Sequence, residues 1–144
     1  MAFVPWIGVN RQRGCHWYEA RGLLQRPTGD LLIVRLSPDP GEHWEFPGGR
    51  ITERAAPEEA LRRWCAEQVG VALPMAIPQP RFDYRFGGRM ITYHYFLCPM
   101  ARDEVAPYGC AALRWVAPAR LNGYTFDLAT EDFIDRVLVA PGGR

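Results

Sequence analysis

The sequence has no lysine: all seventeen of its basic residues are arginine, set against sixteen acidic residues, which leaves a formal net charge of +1. This balance gives no indication of a nucleic acid or an acidic membrane as a partner. There is also no apolar run long enough to cross a bilayer, and no secretory signal with a charged start and an apolar middle. We therefore expect a cytoplasmic protein without membrane contact.

Nucleophiles and metal ligands are scarce as well. The four cysteines, Cys15, Cys65, Cys98 and Cys110, show no C-x-x-C spacing, so we expect reduced thiols. The only serine, Ser37, lies in a proline-rich loop without the motif that exposes a serine nucleophile. The three histidines have no paired ligand spacing. The sequence therefore predicts neither thiol, serine nor histidine-based chemistry.

One stretch, residues 44–51 (Trp-Glu-Phe-Pro-Gly-Gly-Arg-Ile), organises the rest of the chain. It predicts a strand followed by a glycine turn, since Gly48 and Gly49 carry no Cβ and let the backbone turn tightly and approach another group closely. A helix is predicted over 57–69, because a proline suits its first position and Gly70 suits the left-handed position after its last residue.

This stretch resembles the Nudix box, whose family pattern is G-x5-E-x7-R-E-U-x-E-E-x-G-U, with U a bulky aliphatic residue. Starting at Gly49, the register holds without a gap through Arg63, Glu67, Gly70 and Val71. The preceding Trp-Glu-Phe-Pro-Gly-Gly is also typical of that family. The resemblance implies enzymes in which carboxylates on one helix face hold metal ions that neutralise a pyrophosphate and activate water.

Three glutamates of the pattern are replaced: Ala55, Trp64 and Gln68 stand in their places, and only Glu67 remains. Trp64, Glu67 and Gln68 would share one helix face, because they are three and four residues apart. Mg²⁺ prefers carboxylates, waters and phosphate oxygens, whereas an indole offers it nothing and an amide offers one neutral oxygen. We therefore expect no cofactor, with at most weak Mg²⁺ or Mn²⁺ binding at Glu67, assisted by Glu53 from the loop.

The resemblance also implies a pocket for an anionic ligand around the box. Arg50 and Arg63 would contact anionic groups, the two glycines would present backbone N–H groups, and Glu67 is the candidate catalytic residue. The predicted ligand-binding residues are Gly48, Gly49, Arg50, Arg63, Trp64, Gln68 and Thr130.

Two of these assignments have a purely structural alternative. Trp64 also fits the i, i+3, i+4, i+7 spacing of an apolar helix stripe that begins at Leu61, which would place it in the core rather than at the mouth of the site. Arg63 is four residues from both Glu59 and Glu67, so the three can form a solvated ladder of ion pairs. The sequence leaves both alternatives open.

The pattern of apolar residues, together with the resemblance, predicts an α+β fold. It is an α/β/α sandwich in which a mixed central sheet lies between the box helix and a C-terminal helix. Residues 1–18 are expected to form an N-terminal extension packed on a domain that spans 19–144. Strands are predicted at 18–25, 31–36, 81–86, 90–97 and 112–116, and the terminal helix at 131–138 with Thr130 as its N-cap.

The end of the sequence resembles MutT-type Nudix proteins, which act on nucleoside triphosphates. The resemblance is carried by residues 113–121 (Leu-Arg-Trp-Val-Ala-Pro-Ala-Arg-Leu) and by Tyr-Thr-Phe at 124–126. It implies that the Asn or Asp that reads the base in many relatives falls near Thr130, whose hydroxyl both donates and accepts and so reads a base edge less selectively. Aromatic residues of 81–97 are first of all strand residues, and only alternate ones can face a flat ligand.

Three functions stay open. The leading hypothesis is a Nudix hydrolase-like module that retains a pocket for a nucleotide or another anionic ligand and has little or no metal-dependent pyrophosphohydrolase activity. The alternatives are a divergent Nudix hydrolase that cleaves a nucleoside diphosphate-linked substrate, and a repurposed enzyme whose metal-independent chemistry centres on Glu67. The expected partner is a small, nucleotide-like molecule and no nucleic acid; the oligomeric state stays open, a homodimer included.

Overall fold

The structure is built around a mixed sheet of seven strands. It is a computed structural model, and it describes residues 16–139 apart from 40, 42, 53, 54 and 103. The strands are β1 (His16–Gln25), β2 (Leu31–Arg35), β3 (Gly48–Arg50), β4 (Ile77–Pro78), β5 (Phe82–Phe86), β6 (Arg89–Pro99) and β7 (Ala112–Val116). Their order is β4-β6-β1-β2-β7, with β3 paired to β1 and β5 to β6. The central pair β1–β6 is parallel and the other pairs are antiparallel.

The box helix, α1 (Pro57–Val69), forms where the sequence predicts it. Its first turn contains the proline and two glutamates, which suit the positive end of the helix dipole. It ends at Gly70, which has a φ of 68° and donates its N–H to the carbonyl oxygen of Ala66. The proline at the start and the glycine after the last residue therefore mark the two ends of this helix, as predicted.

Apolar residues on the two faces of the sheet form two cores, because successive residues of a strand point to opposite faces. One core lies under α2 (Leu128–Phe133) and includes Leu23, Ile33, Phe46, Tyr95 and Phe133. The other lies under α1 and includes Ala20, Leu24, Leu32, Leu61, Cys65 and Phe96. The predicted α/β/α sandwich with a mixed sheet is confirmed.

The two glycines of the box lie in a strand and not in the predicted turn. In the antiparallel pair of β3 and β1, Gly48 is opposite Arg21 and Gly49 is opposite Ala20. Gly48 has a φ of 139°, and a Cβ there would lie 2.0 Å from the carbonyl oxygen of Ala20. The glycines are needed because two backbones approach each other closely, as predicted, but the chain pairs as a strand through them.

The C-terminal helix begins three residues earlier than predicted. The N-cap of α2 is Asp127, whose Oδ1 accepts a hydrogen bond of 2.8 Å from the backbone N–H of Thr130. Thr130 is therefore a first-turn residue and not the predicted N-cap, because the aspartate three residues before it satisfies that N–H. After Phe133 the helix widens into a π-helical turn (Ile134–Leu138).

Several smaller expectations concern the chain ends and the thiols. β1 begins at His16, and the proposed boundary after residue 18 stays a prediction because residues 1–15 lie outside the described part. Cys65, Cys98 and Cys110 are free thiols, while Cys15 is outside that part. None of the described helices is long and apolar enough to cross a membrane.

Candidate functional site

Gln68 joins the box helix to the glycine strand. Its side chain is 4% exposed and makes two hydrogen bonds with Gly48: Oε1 accepts from the backbone N–H at 3.0 Å, and Nε2 donates to the carbonyl oxygen at 2.9 Å. A neutral amide suits this pair, because an ionised carboxylate has no donor for the carbonyl oxygen. Both polar ends of Gln68 are thus used inside the protein.

Trp64 covers the other glycine. Its ring lies so close to Gly49 that an added Cβ would be 2.6 Å from Cε2 of the indole, and its Nε1 donates to the carbonyl oxygen of Arg50 at 3.1 Å. The side chain is half-buried, whereas Leu61 and Cys65 are fully buried in the core. Trp64 therefore lies at the edge of the core, between the two predicted positions. We call Gly48, Gly49, Arg50, Trp64 and Gln68 the box junction.

Arg63 and Glu67, the charged residues that match the box pattern, are exposed. Within the described part of the chain, neither side chain has a hydrogen-bond or ion-pair partner. The ladder with Glu59 is therefore not formed among these residues, and the neighbouring Arg62 pairs instead with Glu58 at 3.0 Å. As far as the described residues go, Arg63 and Glu67 are available to a ligand, and no contact brings them into the box junction.

The described residues do not fit a family-like metal site. Among them, no group of three or more His, Cys, Asp or Glu side chains is placed to hold a metal ion. Trp64 offers no oxygen, Gln68 uses its amide in the box junction, and Ala55 is a half-buried apolar residue. Glu67 remains, while Glu53, the predicted second ligand, lies outside the described residues. One carboxylate is a poor ligand set for Mg²⁺, which is bound through several oxygens.

A half-buried ion cluster that we did not predict holds the segment before β3 against the sheet. The guanidinium of Arg21 bonds the carboxylates of Glu19 and Glu45, each at 2.6 Å. It also donates to the carbonyl oxygens of Phe46 at 2.9 Å and Gly48 at 3.2 Å. One planar fork of donors therefore fixes the backbone on both sides of Pro47.

Burial and neighbouring charges shift pKa values in and beside this cluster. Burial lowers the pKa of Arg21, but the carboxylates of Glu19 and Glu45 outweigh it and hold that pKa above its ordinary value. Burial raises the pKa of Glu45, against the opposing effect of Arg21. The pKa of Tyr93 is raised as well, chiefly by burial and next by the negative charge of Glu19. The Tyr93 hydroxyl therefore stays protonated at neutral pH.

Arg50 connects the box junction with the face of the sheet that carries α2. Its guanidinium lies 4.4 Å from the ring centroid of Trp17, which packs against the core on that face and donates through Nε1 to Glu19 at 3.0 Å. Arg50 is exposed, and no carboxylate of the described residues pairs with it. An arginine that is supported by an aromatic ring, and whose N–H groups have no partner within the described part of the chain, suits a bidentate contact with a phosphate.

A cavity of about 390 Å³ opens on this same face, which is a size typical of small-molecule sites. Its floor is buried and includes Ile91 and Phe126, whereas Phe86 and Leu128 at its rim are 41% and 70% exposed. Exposed apolar groups around an aromatic hollow favour a flat ligand. We call it the aromatic cavity; it is lined by His43, Tyr84, Phe86, Ile91, Tyr93, Phe126, Asp127, Leu128 and Ala129.

The alternation of strand residues determines which aromatic side chains reach this cavity. Tyr84, Phe86 and Tyr93 line it. Tyr95 is buried in the core of the same face, and Phe96 belongs to the core of the opposite face. As expected from period two, only alternate aromatic residues are available to a ligand.

Thr130, the predicted base reader, is 5% exposed and is not among the residues that line the cavity. Asp127 and His43 line it instead, and we had singled out neither as a site residue. The signals for the missed residues were present in the sequence. Glu19 and Arg21 are charges two residues apart in a predicted strand, and Asp127 is an aspartate at the start of a helix.

Residues 16–137 match the NUDIX domain family. The 8-oxo-dGTP diphosphatase of Escherichia coli (strain K12) is 29% identical over 122 residues, which are 82% of this chain and 93% of that protein. The 8-oxo-dGTP diphosphatase of Haemophilus influenzae is 26% identical over 123 residues, 83% of this chain and 89% of that protein. A crystal structure of a MutT protein from Methanosarcina mazei Go1 superimposes with a TM-score of 0.70 at 19% identity, covering 84% of this chain and 91% of that one.

Proposed function

Because the chain belongs to the NUDIX domain family, we propose that it binds a nucleotide-like ligand in the aromatic cavity and has little or no metal-dependent pyrophosphohydrolase activity. The observation that carries this proposal is the pair of hydrogen bonds between Gln68 and Gly48. At a position where the family pattern has a carboxylate, this chain has a buried amide that is bonded to its own backbone. A side chain in that state is not free to bind a metal ion.

Trp64 also supports the part of the proposal that concerns hydrolysis, namely little or no metal-dependent activity. Where the pattern has a second glutamate, an indole lies against Gly49 and donates to the carbonyl oxygen of Arg50. Loss of metal ligands removes both the charge stabilisation and the water activation that a metal supplies to such reactions. The two replacements bond the helix to β3 directly, through Gly48 and Arg50.

The binding half of the proposal rests on groups that are open. The aromatic cavity offers rings for stacking, and Arg50 offers N–H groups for an anion on the same face of the sheet. A flat ring in the cavity with a phosphate toward Arg50 describes a nucleotide. The curated relatives that act on 8-oxo-dGTP support a nucleoside phosphate as the ligand class.

Two assays of the wild-type protein test the proposal. Calorimetry against a panel of nucleotides, run with Mg²⁺ and again with EDTA, should show binding that does not require the metal. A pyrophosphate-release assay with Mg²⁺ or Mn²⁺ should show turnover well below roughly one per second, an ordinary enzyme value. Absence of binding at millimolar nucleotide would contradict the proposed nucleotide binding. Turnover above roughly one per second would contradict the proposed lack of hydrolase activity.

A second candidate function is a divergent hydrolase of a nucleoside diphosphate-linked substrate. It is favoured by the activity of the curated relatives and by Glu67, which is exposed and keeps its place in the box pattern. If it is correct, Glu67→Gln abolishes turnover, while Glu59→Gln, an exposed glutamate of the same helix, does not. A metal-independent reaction at Glu67 has less support, because Trp64 lies against Gly49 rather than enclosing that carboxylate.

A further inference from the structure

The strand β7 lies at the end of the sheet, and its outer side is free within the described part of the chain. Its strand partner there is β2, and among these residues no backbone group of β7 bonds to the backbone of a loop or turn. The N–H and C=O groups on such an edge pair readily with another extended chain. The edge can therefore accept an added strand.

The bonds on the far side of β2 show which groups of β7 point outward. Val34 exchanges two backbone hydrogen bonds of 2.8 Å with Glu45, so it has none left for Leu113, which lies opposite it in β7. The N–H and C=O groups of Leu113 therefore point away from β2, and so do those of Trp115, two residues further on. An added strand meets two donors and two acceptors in register.

Arg114, between these two residues, gives the edge a positive charge. Its side chain is exposed, and its Nη1 donates at 3.4 Å to the outward carbonyl oxygen of Leu113, which is long for a hydrogen bond of this kind. No carboxylate of the described residues pairs with Arg114 or with Arg120, which lines the same hollow beside β7. Asp30, the acidic residue of that hollow, is paired with Arg26 at 2.7 Å.

We propose that β7 binds an extended acidic segment of a partner protein as an added strand, with a carboxylate opposite Arg114 and apolar side chains opposite Leu113 and Trp115. The residue opposite Arg114 forms a pair without mutual backbone bonds, in which the two side chains approach most closely. Opposite charges in such a pair attract. Leu113 and Trp115 pack against the core under α1, so apolar residues of the partner extend that core.

A second copy of this chain fits the edge poorly. Arg114 is the middle residue of β7, so two copies paired antiparallel about it would place one guanidinium directly opposite the other. Like charges in opposed positions destabilise a strand pair, and a charge in a short edge strand protects against self-pairing. The inference does not depend on the proposed nucleotide binding, because no residue of β7 lines the aromatic cavity.

Three capped heptapeptides test the inference, titrated into isotope-labelled protein and followed by its backbone amide signals. The first, Ser-Thr-Val-Glu-Val-Thr-Ser, should shift the signals of Leu113 and Trp115. Lysine in place of its glutamate should weaken binding about tenfold, since attraction across the pair becomes repulsion. Methylation of both valine nitrogens removes the donors that a strand needs and should abolish binding. Equal affinity of the first and the methylated peptide would leave only an ion pair and overturn the inference, as would the absence of binding by the first.

Reversal of the charge identifies the residue that selects the peptide. Arg114→Glu should bind the lysine peptide in preference to the glutamate peptide. Arg120→Glu is the matched control: it makes the same change of charge in the same hollow but outside the strand, so it should keep the preference of the wild type. Both side chains are exposed, so both variants should fold. An unchanged preference in Arg114→Glu, or a reversal in Arg120→Glu alone, contradicts the inference.

Hydrogen exchange tests whether the edge is free before a partner arrives. In the protein alone, the outward amides of Leu113 and Trp115 should exchange fast, whereas the amide of Arg114, which faces Ile33 of β2, should be protected. The glutamate peptide should slow the two outward amides and leave the third unchanged. Outward amides that are already protected in the protein alone would show that its own chain or a second copy covers β7, and the inference would be wrong.

Discussion

The box junction and the aromatic cavity differ in whether their polar groups are already bonded within the protein. In the box junction, the amide of Gln68 and the indole N–H of Trp64 are both bonded to the backbone of β3. In the aromatic cavity, Oδ2 of Asp127 is free among the described residues, and the rim residues Phe86 and Leu128 are largely exposed. One region is closed upon itself and the other is open to a ligand.

This difference shows how positions that hold carboxylates in the family pattern can carry internal contacts instead while the fold keeps its shape. Converging carboxylates repel one another unless a metal is bound, so a metal site stabilises the fold only when it is loaded. The side chains at Trp64 and Gln68 replace that arrangement with neutral contacts to β3. The helix and the strand are joined without a metal, and in the proposed function the ligand binds on the other face of the sheet.

The largest expected loss of stability in the box junction is at Gly48. In Gly48→Ala the new Cβ would lie 2.0 Å from the carbonyl oxygen of Ala20, at a φ of 139° that L-residues rarely adopt. Backbone cannot move aside as a flexible side chain does, so we expect a loss of unfolding free energy on the order of 4 kcal/mol. Urea denaturation measures it. Gly88→Ala is the control, because nothing lies within 4 Å of its Cβ position; an equal loss in both variants would contradict the close-approach argument.

The next effect tests whether Gln68 has to be neutral. Gln68→Glu buries a carboxylate against the carbonyl oxygen of Gly48 and should cost about 3 kcal/mol at pH 8. Burial would raise the pKa of this carboxyl in the folded state, so the native protein would bind a proton that the unfolded chain has released. Stability should therefore fall as the pH rises, and the variant should recover part of its loss at about pH 5. Melts across this range decide the point; a variant as stable as the wild type at pH 8 would show that the buried amide is not required.

The contact between Gly49 and Trp64 should give a smaller effect, because one partner is a side chain that can move. Gly49→Ala would place a Cβ 2.6 Å from the indole and should cost about 2 kcal/mol. In a Trp64→Ala background the same change should cost less than about 0.5 kcal/mol, since the opposing ring is gone. A double-mutant cycle measured by urea denaturation yields the coupling free energy between positions 49 and 64. Additive effects would contradict a steric contact between the new Cβ and the indole ring.

Most of the fold followed from signals that act locally. The proline and Gly70 determine α1, and the alternation of residues in β5 and β6 correctly separates Tyr93 from Phe96. The predicted turn at Gly48 and Gly49 was wrong, because glycine permits both a turn and a close strand pairing, and only the partner strand β1 decides between them. Thr130 was wrongly assigned as the N-cap because Asp127, three residues earlier, is an equally good cap.

The site was harder to predict than the fold, since its residues meet only through long-range pairing. Arg21 and Glu45 are 24 positions apart in sequence, and their bond depends on how the segment before β3 crosses the sheet. The spacing of the box did place Gly48, Gly49, Arg50, Trp64 and Gln68 together. The spacing could not show that the amide of Gln68 bonds to Gly48. A helical register gives the direction in which a side chain points, but it does not tell which backbone groups of another strand lie beside that side chain.

The smallest expected effect sharpens the comparison from the side of the cavity. Phe86 is 41% exposed at the rim, so Phe86→Ala should change the unfolding free energy by less than about 0.5 kcal/mol. If a base stacks there, the same variant should weaken nucleotide binding by about tenfold, the usual value of one lost aromatic stack. Tyr18→Ala is the matched control, because Tyr18 is 44% exposed but does not line the cavity. Calorimetry with one nucleotide on both variants makes the comparison, with equal affinities counting against a ligand in the aromatic cavity.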